Sequence, residues 1–203
     1  MSLSGETIDY GPAAYLDEYN PKKVFSSIDK MGRYSFENQS KITLWNLARF
    51  AETFLHLIDS NEKTAIKKIE DILNKYKKLF DKSCLIMMSM KLNLDTNNNN
   101  EEIVKEFLDL MHIYKLDYTN TFLDLENNTL DKKIFKNWEE KYKNNKIRKF
   151  KNVNPQIIPR NHIIEEIINE VYSNNYSQLY EFEKLLKNPC LLYTSPSPRD
   201  SSK

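Results

Sequence analysis

From Lys41 onward the apolar residues recur with the period of a helix. Leu44, Ala48, Ala51, Leu55 and Ile58 form one stripe, and Leu47, Phe50, Phe54 and Leu57 form a second beside it. Thr43, Asn46, Arg49, Thr53 and His56 fall on the opposite side. So wide an apolar arc predicts a central helix packed by several neighbours. After Asp59-Ser60-Asn61 the period resumes through Ile66, Ile69, Leu73, Tyr76 and Phe80, and the Met-rich stretch from Cys84 to Leu94 predicts another helix. Asn97–Asn100 reads as a low-complexity loop tip without fixed structure. Val104, Phe107, Leu108 and Met111 mark a further helix. The sets Ile134/Trp138/Tyr142, Ile164/Ile167/Ile168/Val171 and Leu179/Phe182/Leu186 mark three more. Ahead of all these, residues 1–9 alternate loosely around Gly5-Glu6, which predicts two short strands joined by a tight turn. Residues 13–40 carry no period, and a loop of that length is usually ligand-facing.

The expected fold class is therefore mainly α, entered through a short N-terminal β-hairpin. Three regions follow: 1–40, holding the hairpin and an irregular loop; 41–189, helical; and 190–203. The last abandons helical periodicity and resembles the translation of a transposase-type sequencing adapter. It is expected to be non-native, and its Ser/Pro content would otherwise read as a tail without fixed structure.

Composition narrows the function classes. Lys plus Arg number 30 against 29 for Asp plus Glu, so no overall charge favours nucleic acid or anionic lipid. No run of eighteen apolar residues exists, and no membrane partner is expected. Two cysteines, Cys84 and Cys190, give neither a disulfide framework nor a metal-ligand spacing. His56, His112 and His162 lack the spacing of a zinc site or a catalytic triad. All three glycines lie in the first 32 residues, which predicts tight backbone turns there and few beyond. No secretory or transit segment opens the sequence.

Candidate chemistry lies in Ser-Gly-Glu-Thr-Ile-Asp-Tyr-Gly-Pro (4–12). A carboxylate leaving a short strand before a Gly can face a cleft and hold Mg²⁺ on nucleotide phosphates, as the Asp of a kinase Asp-Phe-Gly segment does. Taken alone, Asp9-Tyr10-Gly11 is a weak pattern that a plain Asx turn explains better.

This stretch, with Met1–Gly5, Asp17-Glu18-Tyr19, Gly32-Arg33-Tyr34, Asn38-Gln39, Trp45–Arg49 and Ala51-Glu52, resembles the selenoprotein O family of YdiU-type pseudokinases. Asn154-Pro155 and Arg160-Asn161 are similar to a later family segment, so order and spacing hold over about 170 residues. The resemblance implies that 41–189 is the helical C-lobe of a kinase-like fold. It implies a protein that uses ATP and Mg²⁺ to transfer AMP onto Ser, Thr or Tyr hydroxyls of protein substrates. Asp9 then matches the family's metal-chelating and ATP-contacting Asp. The family's catalytic base and second metal ligand belong to an Asn-Thr-Asp-Asn stretch that precedes the position of Met1, so no catalytic residue is assigned here and the chain alone is expected to be inactive. Ser40 and Pro159 depart from the family pattern without touching the metal position. Eukaryotic members are often mitochondrial, and some end in a selenocysteine motif.

Other residues carry weaker expectations. Arg33 and Asn46 are cleft-directed by family analogy, although a loop salt bridge and a surface amide fit equally well. Asn161 is a candidate N-cap and Arg160 a partner for a carboxylate. Cys84, among Leu85, Ile86 and Met87, reads as a buried inert thiol. Lys141–Lys151, interleaved with Tyr142 and Phe150, could meet RNA, but Glu139 and Glu140 favour a solvated helix end, and no nucleic-acid partner is expected. The competing functional reading is a non-catalytic helical interaction module on a pseudokinase scaffold.

Overall fold

The computed structural model describes residues 15–147 and 153–190. The predicted hairpin at 1–9, Asp9 and the tail beyond Cys190 lie outside the described residues. Those described are mainly helical, as the apolar period predicts, and divide into two compact units.

The first unit runs from Glu18 to Lys151. A 3-10 turn at Phe36–Asn38 leads into α1 (Gln39–Glu52), followed by α2 (Leu55–Ile58), α3 (Glu62–Lys91), α4 (Glu101–Ile113), α5 (Tyr118–Glu126) and α6 (Lys132–Lys143). The sequence period runs unbroken from Lys41 to Ile58. The structure interrupts it at Thr53, whose hydroxyl donates to the Phe50 carbonyl at 2.7 Å and competes with the helical ladder. Conversely, the two helices expected over 66–94 are one helix of 30 residues. Asp81-Lys82-Ser83 is polar but holds neither Gly nor Pro, so nothing breaks the ladder there. Asn61 caps its start by accepting from the Thr64 amide at 3.1 Å. The broad apolar arc of α1 is not wrapped as predicted: only Ile42 is buried, and Trp45 and Phe50 are exposed.

Helix ends correct the glycine-based expectation. Asn93, Lys115, Asn128 and Asn174 all take positive φ, between 53° and 60°, just past α3, α4, α5 and a later helix. In each case the next residue's amide reaches back five positions: Leu94 to Ser89 (2.8 Å), Leu116 to Met111 (2.9 Å), Thr129 to Asp124 (2.7 Å) and Asn175 to Glu170 (3.0 Å). These are Schellman closures, with Asn supplying at three of them the left-handed residue that Gly usually supplies.

A file of aromatic rings fills this unit. Phe36 meets Tyr19 (6.0 Å between centroids), which stacks on Tyr118 (5.7 Å), then Phe122 (5.1 Å), Phe107 (5.2 Å), Trp138 (4.8 Å) and Tyr142 (4.6 Å). Trp138 is fully buried, and its indole N–H donates to the Ile103 carbonyl at 2.9 Å, which ties α6 to α4. Two extended segments close the edges: the Tyr19 amide donates to Leu116, and Asn93 exchanges bonds with Ile147 through both its carbonyl and its side-chain amide. The Asn-rich loop is not a free tip. Asn100 is buried and donates to Ser89 Oγ (3.0 Å) and the Asp95 carbonyl (2.8 Å).

Burial pushes the Tyr118 phenol up to about 12, with smaller contributions from Tyr19 and Cys84, and burial alone does the same to Tyr142. A phenol whose folded value lies above its ordinary 10.0 keeps its proton longer in the folded state. Its contribution is complete below pH 10 and is lost as pH rises toward 12. Denaturant midpoints are therefore expected to fall between pH 10 and 12, and the Tyr118→Phe/Tyr142→Phe double variant to flatten that fall. An unchanged slope in the double variant would assign the loss to other groups.

The second unit joins Met1–Asp17 to Asn152–Lys203. Its described part holds α7 (Asn161–Tyr172) and α8 (Ser177–Leu186), which bury Ile167 and Phe182. The Gln156 amide donates to the Pro189 carbonyl at 2.6 Å, closing the start of this segment on its end.

Candidate functional site

Ahead of α1 the chain forms a tightly bonded loop. Asp29 accepts from the backbone amides of Arg33 (2.8 Å) and Tyr34 (2.7 Å). Gly32 sits just before them at φ +66°, a conformation that a side chain would strain even though a Cβ there would meet nothing closer than Val24 at 3.7 Å. Asn38 then donates to the Gly32 carbonyl and Gln39 to the Tyr34 carbonyl, each at 2.8 Å. Gly32, Arg33, Tyr34, Asn38 and Gln39 thus form one hydrogen-bonded clamp on the head of α1.

The clamp aims Arg33. Its guanidinium lies 4.5 Å from the centre of the Trp45 ring, and that of Arg49 lies 5.8 Å from the same ring. Arg49 also pairs with Glu52 at 2.5 Å. Glu52 meets the Arg49 charge, so the Arg33 guanidinium over the exposed indole is the group suited to a carboxylate or phosphate. A cavity of about 580 Å³ lies on the loop side, lined by Phe25, Asp29, Arg33 and Tyr34 among others. A groove of about 540 Å³ runs between α1 and α3, over Leu44, Trp45, Ala48 and Leu73 with Lys41 and Glu70 at its rim. Arg33 is thus held by a cation–π stack, and among the described residues the loop salt bridge that its sequence also allowed is not formed. Asn46 is half-buried. Trp45 is the residue the sequence reading misses as a platform. Arginines before it and four residues after it were the available signal.

The remaining candidates have structural roles. Arg160 pairs with Asp17 inside the second unit, and it is Arg160, not Asn161, that occupies the N-cap position of α7, without a side-chain cap. Asn161 is the first helical residue, one position too late to cap. His112 contacts the Tyr19 carbonyl at 3.4 Å through Nδ1, while His56 and His162 are exposed. Cys84 is half-buried rather than buried, and its thiol is pushed up by burial and then by Asp81, which disfavours the reactive thiolate. In the 141–151 cluster, Lys141 is held by Glu106 (2.8 Å) and Glu102 (3.4 Å), and Lys143 by Glu139 (3.9 Å). These carboxylates, Glu106 first, raise the Lys141 ammonium above its usual range. Among the described residues no group of three or more His, Cys, Asp or Glu could hold a metal ion, and no helix is long and apolar enough to cross a membrane.

The Protein adenylyltransferase SelO family model matches residues 1–139, which include the Asp9 segment, the clamp and α1 to α5. The chain belongs to the SelO family. Relatives named Protein nucleotidyltransferase YdiU agree. The protein of Pelagibacter ubique is 40% identical over 226 aligned positions, covering 100% of this chain and 47% of the relative. Those of Bacillus thuringiensis and Clostridium botulinum are 38% and 40% identical over 207 positions, each covering 93% of this chain and 42% of the relative. The chain thus spans less than half the length of these SelO-family relatives, which are nucleotidyltransferases by name.

Proposed function

We propose that this chain is part of an ATP- and Mg²⁺-dependent protein adenylyltransferase, which moves AMP onto Ser, Thr or Tyr hydroxyls of other proteins. The carrying observation is the family match across residues 1–139, because it spans both the Ser4–Pro12 segment and the clamp that follows. Asp9 is the residue that would hold the metal and contact ATP. A bound Mg²⁺ supplies Lewis-acid charge against the triphosphate. In the transfer, a substrate hydroxyl oxygen bonds to the α-phosphorus, the bond to the bridging β-phosphate oxygen breaks, and pyrophosphate leaves. The hydroxyl proton goes to a base outside this chain, so the chain alone is inactive in this reading. The pairing of Lys141 and Lys143 with carboxylates supports a partner other than nucleic acid.

The test supplies ATP labelled at either the α- or the γ-phosphate to the family-length form and follows label into protein. Incorporation of the α label alone, released as AMP, is the expected result. Incorporation of the γ label would mean phosphate transfer, and incorporation of neither would favour the non-catalytic module.

A further inference from the structure

Helix α3 carries a stripe that its neighbours in the first unit leave largely open, with only Ile69 and Tyr76 of its residues half-buried. Ile69, Ile72, Tyr76, Leu79, Ser83, Ile86 and Met90 alternate at spacings of three and four, the seam by which one helix packs along another. Ile72 is 66% exposed and Leu79 64%, and Ile86 and Met90 are exposed beside them. Along one flank, Lys68, Lys75 and Lys82 repeat every seven residues. Lys68 is held by Asp59 at 2.8 Å, whereas Lys75 and Lys82 are exposed and among the described residues have no ion-pair partner. An apolar seam edged by unmatched positive charge specifies its counterpart closely: an amphipathic helix with carboxylates on the facing edge.

We propose that this seam receives such a helix from the part of the family-length protein that this chain does not span. The relatives carry more than half of their length outside the matched region, which is ample to supply it. A second copy of α3 fits poorly. Laid antiparallel it sets one lysine row against the other, and laid parallel it faces those lysines with Leu73, Phe80 and Met87, which offer no counter-charge. The inference rests on family membership and not on the transfer reaction, so either can fail alone.

The test is thiol accessibility in a Cys84→Ser/Cys190→Ser background, comparing the 203-residue chain with its family-length form. A thiol at Leu79→Cys is expected to react with a water-soluble maleimide at least tenfold more slowly in the family-length form. One at Asp81→Cys, on the far side of α3, should react equally in both. Adding Lys75→Glu/Lys82→Glu should restore fast reaction at position 79, most fully at low salt. Equal rates at position 79 in the two forms would overturn the proposal. So would protection in the 203-residue chain that grows with its own concentration, which means a second copy. Protection conferred only by anionic phospholipid vesicles would instead assign the seam to a membrane surface.

Discussion

In the family-length form, Asp9→Ala is expected to lower AMP transfer by at least about 100-fold, the scale seen when one preorganised electrostatic contact to a transition state is removed. In the proposed reaction this carboxylate would supply charge to the metal, so the loss is expected on the chemical step rather than on folding. Thermal unfolding is expected to be unchanged, because a carboxylate that serves a metal ion contributes to the nucleotide site rather than to apolar burial. Asp9→Asn separates shape from charge: it keeps the side-chain volume and an acceptor oxygen but loses the anion, and should lie close to the Ala variant. Raising Mg²⁺ concentration should partly rescue Asp9→Asn and not Asp9→Ala, since an amide oxygen is a weak ligand and a methyl group is none. Transfer at the wild-type rate in Asp9→Ala would remove this residue from the mechanism.

The second large effect is on stability. Trp138→Ala removes a fully buried ring near the end of the aromatic file, whose centroid lies 4.8 Å from that of Phe107, 4.6 Å from that of Tyr142 and 6.0 Å from that of Phe135. Truncating a fully buried large aromatic costs about 3–5 kcal/mol. The Ile103 carbonyl also loses the indole N–H, its 2.9 Å donor. A domain holds about 5–15 kcal/mol in total, so the variant sits near or below the folding threshold. Trp138→Phe keeps most of the packing and isolates the hydrogen bond, and should cost clearly less. Guanidinium unfolding followed by far-ultraviolet circular dichroism measures both. A loss under about 1 kcal/mol for Trp138→Ala would mean that α4 and α6 are not held as described.

The helical class was legible because the apolar period is strong in α4, α6, α7 and α8, each of which the sequence pattern places correctly. Helix α5 was not. Tyr118-Thr-Asn-Thr opens it with β-branched and polar residues that weaken any helical signal. Its start is set by Asp117, which accepts from the Asn120 amide at 2.7 Å. The ends of the helices were hidden for a related reason. A reader looking for Gly past residue 32 finds none, while Asn93, Asn128 and Asn174 perform its backbone role. Asn93 shows why Asn serves there: its side chain also holds Ile147, which Gly could not do. At the candidate site, the motif residues 32–39 were visible as a string, but their mutual bonding was not, because it depends on the turn that Asp29 organises. The role of Asp9 rests on resemblance alone, since three residues fix no geometry and this one lies outside the described residues.

The two tryptophans occupy opposite surroundings, one sealed in a ring cluster and the other facing water beneath two guanidinium groups. Each is therefore an intrinsic optical probe of a different event. Emission from position 138 follows melting of the α4–α6 core, whereas iodide quenching at position 45 follows whatever comes to rest beside α1. Arrival of a ligand and loss of structure can thus be read separately from one unlabelled sample.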